Sequence, residues 1–197
     1  AIEIASDGGW NLHKSGGDKN WEPMIRVSSE DVSALQNSAY QQAFGFDRTN
    51  RYFYAYSSRD RNTAALVRYD LDTGEESVLA SDERVDIGGV MFHPSTFEVQ
   101  AYATNWTRLT WHAIDPSVQA DFDFLATVSG GDFTVISQSR DNQRWLVRYM
   151  FSDQPIAYYL YDRQEKEATK LFVSTPQLED LPLSKLHPVV IQSRDGL

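Results

Sequence analysis

FGFDRTNRYFYAYSS (residues 44–58) and AALVRYDLDTGEESVLAS (residues 64–81) together read as four short strands joined by polar turns. A first strand ends in a turn at residues 47–50 and is followed by an aromatic strand and a loop. A third strand then closes on Tyr69 and Asp70, and a turn at Asp72, Thr73 and Gly74 leads into the fourth. Asp, Asn and Gly between β-rich runs supply the backbone shapes that antiparallel hairpins need. ISQSRDNQRWLVRYMFS (residues 136–152) with IAYYLYDRQEKEATKLFVS (residues 156–174) follows the same plan, its first turn at residues 141–143. Between them, VMFHPSTFEVQAYATNWTRLTWHAIDPS (residues 90–117) repeats the first three steps, with a turn at residues 93–96. The turn positions Asp47, Pro94 and Asp141 are spaced 47 residues apart. Four short strands in each period of about 40 to 50 residues are the mark of β-propeller blades.

The residue pattern within the strands supports blades over isolated hairpins. Tyr52, Tyr54 and Tyr56 alternate with Phe53 and Ala55, and Trp145, Val147, Tyr149 and Phe151 alternate with Leu146 and Met150. A strand that is apolar on both faces must be covered on both faces, which neighbouring blades do by stacking. The aromatic side chains are therefore read as core. AIEIAS, WNLHKS and EPMIRV, from residue 1 to 27, supply the later strands of another blade. One departure interrupts the series: after Pro116, apolar Val118, Phe122 and Leu125 recur at helical spacing. The expected fold is all-β, a partial propeller of about three to four antiparallel four-stranded blades with one short helix near residues 116–127 in place of a fourth strand.

Composition narrows the function classes. The 197 residues are 41% hydrophobic, enough for a globular core. A formal charge of −10 argues against nucleic acid, because phosphate contacts need clustered Lys and Arg. With no cysteine there is no disulfide scaffold, thiol nucleophile or Cys-based zinc site. No apolar run approaches the roughly 20 residues of a membrane helix, so no membrane partner is expected. The start, AIEIASDGGW, has no initiator methionine and no signal-peptide regions, and reads as an internal start that leaves the compartment open.

Motifs that carry chemistry fail one by one. No G-x-S-x-G elbow is present, and SGGDK at Ser15 and SGGDF at Ser129 are turn compositions. His13, His93, His112 and His187 never take a metal-ligand spacing; His93 and His187 each precede a proline and belong in turns. DLDTGEE (residues 70–76) starts like a calcium loop but has Glu75 where glycine is required and Ser81 where a bidentate glutamate is required, so it reads as a hairpin turn. SDGGW (residues 6–10) resembles the Asp-box of sialidase propellers with the wrong spacing. Asp121 with Asp123, and Glu179 with Asp180, have no evident acid or base partner and read as solvated surface. No catalytic residue, metal ligand or cofactor site is assigned. The loop SSRDRNTA (residues 57–64) is the one candidate, because Arg59 and Arg61 would project from a blade rim where a carboxylate can be held.

After the last blade, TPQLEDLPLSKLHPVVIQSRDGL (residues 175–197) places Pro176, Pro182 and Pro188 in an extended connector leading to an apolar strand at residues 189–191. The expected division is propeller blades over residues 1–175 and, over 176–197, a connector with the first strand of a further domain. This junction, ending Ser193, Arg194, Asp195, Gly196, resembles that of the prolyl oligopeptidase family, where the last blade hands over to an α/β-hydrolase domain. The resemblance extends to GGDFTVISQSRDNQRWLVRY (residues 130–149) and, more loosely, to SDGGWNLHK (residues 6–14). It implies a parent serine peptidase of acylaminoacyl or dipeptidyl peptidase type, with its triad beyond Leu197 and this chain as a non-catalytic cap. The implied partners are the hydrolase domain of the same parent and its peptide substrate, with Arg59 or Arg61 steering a substrate carboxylate. The alternative is a stand-alone propeller of the TolB type that binds another protein on its rim. The uncovered outer blade faces also lead us to expect self-association of the chain.

Overall fold

The structure is a computed structural model and describes residues 1–17, 20–31 and 45–194. The described residues form four antiparallel sheets distributed over two compact units. The first unit comprises residues 1–105 and 111–115, the second residues 106–110 and 116–197.

In the first unit, β1 (Ile2–Ile4), β2 (Trp10–Ser15) and β3 (Trp21–Val27) form a three-stranded meander. The second sheet runs in chain order through β4 (Gly45–Phe46), β5 (Tyr52–Ser57), β6 (Ala65–Asp70) and β7 (Glu76–Ala80). Phe44, expected at the head of this blade, lies outside the described residues. The third sheet joins β8 (Ile87–Phe92), β9 (Val99–Asn105) and β10 (Leu109–Ala113), and the unit boundary runs through β10. The alternation read from β5 orders this unit. Phe53 and Ala55 pack with Ala65, Val67 and Tyr69 against Trp10, Leu12, Ile25 and Val27 of the first sheet. Tyr54, Tyr56 and Leu66 pack on the other side against Ile87 and Val99, with Phe92 and Tyr102 alongside. The second sheet is thus covered on both faces, and each large side chain removed from water there contributes roughly 1.5–3 kcal/mol.

The second unit holds a four-stranded sheet in chain order: β11 (Asp132–Gln138), β12 (Arg144–Met150), β13 (Ala157–Asp162) and β14 (Glu167–Val173). Before it, a 3-10 turn at Pro116–Val118 runs into α1 (Gln119–Val128), whose Val118, Phe122 and Leu125 are buried as their spacing predicts. Phe122 packs its ring on Phe133 and Trp145, and the Leu125 carbonyl accepts a 2.7 Å bond from the Tyr149 hydroxyl. In chain order the helix stands where a fourth strand would follow the three described strands β8–β10, and it packs on the sheet that comes after it.

The repeat is set by backbone closure, and its period differs slightly from the sequence reading. The amide of Asp47 donates to Tyr52 O, that of His93 to Glu98 O, and that of Ser139 to Arg144 O. Positions 47, 93 and 139 are each 46 residues apart, against the 47 read from Asp47, Pro94 and Asp141. The difference arises because Pro94 lies one residue past His93 and Asp141 two past Ser139. The turns also differ in length: the left-handed Phe97 (φ 59°) falls four places after His93, whereas Asn50 and Asn142 (both φ 57°) fall three places after Asp47 and Ser139.

Beyond β14, a 3-10 turn at Pro176–Leu178 is followed by chain without regular structure. Val189, Val190 and Ile191, expected as a strand, are unpaired and 78%, 69% and 83% exposed. A strand forms only with a ladder partner, and none lies beside them among the described residues. Asp195, Gly196 and Leu197 of the junction motif lie outside the described residues.

Candidate functional site

The connection between β5 and β6 carries the two candidate arginines, and it is braced at both ends. The Arg59 amide donates to Ser57 Oγ, the Arg61 amide to Ser58 O and the Ala64 amide to Asp86 Oδ1, at 3.3, 3.0 and 2.7 Å. Between the arginines Asp60 adopts φ 58°, a left-handed conformation that costs a non-glycine residue about 1 kcal/mol and turns the chain sharply.

The two arginines differ in what they do. Arg59 Nη1 lies 3.4 Å from Glu76 Oε2, and its Nη2 donates at 3.1 Å to the carbonyl of Arg26. It therefore ties the second sheet to the first. Arg61 donates through Nε to Arg59 O at 3.1 Å, and among the described residues no carboxylate pairs with it. Of the two, Arg61 is the one with guanidinium capacity to offer a ligand.

The SDGGW turn lies on the same side of the first sheet as Arg26. Asp7 pairs with the Arg26 guanidinium, which holds the Asp7 carboxyl below its ordinary range, and Arg26 Nη1 donates to Val27 O at 2.8 Å. Both glycines have a local reason: Gly8 has φ 87°, and a Cβ on Gly9 would come within 2.4 Å of Val27 O. Between the β2–β3 hairpin and the second sheet, a cleft of about 230 Å³ is lined by Leu12, Met24, Phe46, Leu71, Trp21 and Lys14, among others. Its apolar floor is large enough for a small side chain.

The second unit contains a cluster that the sequence reading placed on the surface. Asp121 is 1% exposed, because its spacing puts it on the buried stripe of α1 between Val118 and Leu125. Its Oδ1 accepts from the Tyr161 hydroxyl at 2.7 Å and from Lys166, and its Oδ2 accepts from Arg163 Nε and Nη2 at 3.0 and 2.7 Å. Burial alone would raise the Asp121 pKa, but the bonds from Arg163, Lys166 and Tyr161 outweigh it and the pKa is lowered. Arg163 also donates to Asn142 O and Ser117 O and stands 4.7 Å over the Trp145 ring. A carboxylate held ionised by this many donors is unsuited to proton transfer; the cluster pins α1 to its sheet. Asp123, two residues on, is exposed and bonds only to Gln119, as a surface residue should. Glu179 pairs with Lys170 at 2.6 Å.

The remaining motifs resolve into structural roles. His93 Nδ1 accepts from the amides of Ser95 and Thr96, closing its turn. His112 stacks on Tyr102 and meets Thr104 Oγ1 at 3.0 Å. In DLDTGEE, Asp70 Oδ1 accepts from the amides of Asp72 and Thr73, Oδ2 is held by Arg51, and Gly74 has φ 77°, which together make a hairpin turn.

No family model matches the chain. It is 35% identical over 190 residues to dipeptidyl aminopeptidase BIII of Pseudoxanthomonas mexicana, covering 96% of this chain and 27% of that protein. The chain is a β-propeller segment similar to part of a dipeptidyl aminopeptidase. Dipeptidyl peptidase family member 6 of Caenorhabditis elegans is 27% identical over 180 residues, covering 90% of this propeller segment and 23% of that protein. Among solved structures, Porphyromonas gingivalis dipeptidyl peptidase 4 matches with a TM-score of 0.61 at 12% identity, over 86% of this chain and 23% of that one. TolB from Acinetobacter baumannii matches at 0.51 and 10% identity, over 88% and 40%, and a prolyl endopeptidase at 0.50 and 10%, over 88% and 26%. These structural likenesses support the propeller fold. The segment spans about a quarter of the length of its curated relatives.

Proposed function

We propose that this segment is the non-catalytic gate of a peptide-hydrolysing serine peptidase, packed in the parent against an α/β-hydrolase domain that carries the triad. The observation that carries the proposal is 35% identity to a dipeptidyl aminopeptidase along nearly the whole segment. Blades that bury aromatic residues on both faces make a stiff cap. Such a cap admits extended peptides, excludes folded chains and dries the cavity in which bonds are broken. On this reading Arg61 steers a substrate carboxylate, and Arg59 keeps the loop in place through Glu76 and Arg26.

The test is kinetic, on the longer protein that contains this segment. Arg61→Ala is expected to lower kcat/KM about tenfold for peptides with a carboxylate near the cleavage site and to leave neutral peptides unchanged. Equal effects on both peptide types would remove Arg61 from the account. The TolB likeness favours a second reading, a propeller that binds a protein on its rim; absence of peptidase activity from the longer protein, with tight binding of a protein partner, would select it.

A further inference from the structure

The hairpin of β2 and β3 is built around an irregularity that shapes the cleft beside it. Leu12 pairs with Ile25 and His13 with Pro23, so Met24 is an extra residue with no cross-strand partner, a β-bulge. A bulge re-aims the side chain it carries, and Pro23 next to it has no amide hydrogen to give to a ladder. Strict alternation would turn Met24 away from the face that Ile25 buries; instead both pack on the core shared with the second sheet, with Leu71 alongside. Met24 and Leu71 line the cleft of about 230 Å³, and Trp21 and Phe46 flank it. These two rings are 51% and 44% exposed, so each leaves a large apolar surface in water.

Size and charge narrow what fits. About 150 Å³ of apolar space accepts a benzene ring, whereas sites for drug-sized molecules run from about 300 Å³ upward. The cleft therefore takes one ring on a short stem. Every charged group on its lining is already engaged. The Ala1 ammonium donates to His13 O at 2.9 Å, and His13 Nε2 lies 2.8 Å from Glu3 Oε2. Lys14 donates to Leu71 O at 2.9 Å and stands 3.6 Å from Asp72. An ionised ligand would lose water there without gaining a counter-charge. A ring is favoured over an aliphatic group, because Trp21 and Phe46 offer aromatic edges and faces and Met24 a polarizable thioether. The exposed Asn50 amide on the same lining offers a donor and an acceptor, the pair that a peptide backbone needs.

We propose that this cleft is a binding site for an uncharged aromatic side chain, a phenylalanine or tyrosine presented by a peptide. Its ring sits against Met24 between Trp21 and Phe46, and its backbone stays at the mouth beside Asn50. The site lies at the opposite end of β5 from the Arg61 loop and does not rest on the peptidase reading.

The test uses the chain itself, labelled with carbon-13 at the methyls of its three methionines. N-acetyl-phenylalaninamide is titrated in, and the Met24 signal is assigned with Met24→Leu. A ring seated in the cleft should shift the Met24 methyl saturably by its ring current. The methyls of Met91, which is buried, and of Met150, which belongs to the second unit, should stay in place. Phenylacetate and phenethylamine should bind at least about tenfold more weakly than the neutral amide. The cyclohexyl analogue of the amide should bind about threefold more weakly. Leu71→Phe fills the cleft while keeping the backbone carbonyl that holds Lys14, and should abolish the shift. Trp21→Ala changes an exposed position and should weaken binding at least about fivefold; it decides on its own if L71F does not fold. The proposal is overturned if the Met24 signal does not move up to the solubility limit of the amide, or if Met150 moves in parallel. It is equally overturned if either ionised analogue binds as well as the amide, or if W21A binds like wild type.

Discussion

Two side chains carry most of the local logic of the second unit. Asp121 is buried beneath Arg163 and the exposed Lys166, so Asp121→Asn leaves the largely buried Arg163 guanidinium without its counter-charge. The expected cost is about 3 kcal/mol in urea unfolding, because removing one partner of a buried pair is far worse than removing both. The lowered Asp121 pKa fixes the sign of the acid response. The contribution is fully present above the ordinary aspartate range and is lost as pH falls through the lower folded-state value. Wild type should therefore lose stability more steeply than D121N at the acid end of a pH series; parallel curves would contradict this. Asn142 is left-handed at φ 57° and accepts 2.7 Å from Trp145 Nε1 in the core. Asn142→Ala is expected to cost about 2 kcal/mol by combining backbone strain with an orphaned indole N–H. Asn142→Gly should cost about half as much, since glycine removes the strain but not the lost bond.

The strands and turns were legible in the sequence wherever local chemistry decides them. The alternation of Tyr52, Tyr54 and Tyr56 with Phe53 and Ala55 separates two cores, as read, and the spacing of Val118, Phe122 and Leu125 gives α1 and its buried face. Asp121 was misread because a polar residue on an apolar stripe looks like surface until its partners, Tyr161, Arg163 and Lys166, arrive from forty or more residues away. The repeat was read one residue long because Asp47, His93 and Ser139 close their turns by different side-chain atoms, which no residue-type match reveals. Arg59 and Arg61 looked equivalent in sequence; Glu76 and the Arg26 carbonyl, which come from other strands, separate them. At this scale Leu125→Ala should destabilise the chain by about 3 kcal/mol by opening a cavity under α1. In hydrogen exchange, the amides of β12 and β13 should lose protection with α1, while those of β5 and β6 remain protected.

For the whole molecule, the central claim is that the blades select what reaches a catalytic site supplied by another part of the parent protein. Size selection is what a stiff cap can contribute without making or breaking bonds, and it separates the gate from a rim-binding module. The most direct measurement is kcat/KM of the longer protein on a free dipeptide reporter and on the same dipeptide placed at the N-terminus of a tightly folded domain. The account predicts efficient cleavage of the first and a loss of at least about a hundredfold on the second. Equal rates on the two substrates would contradict it.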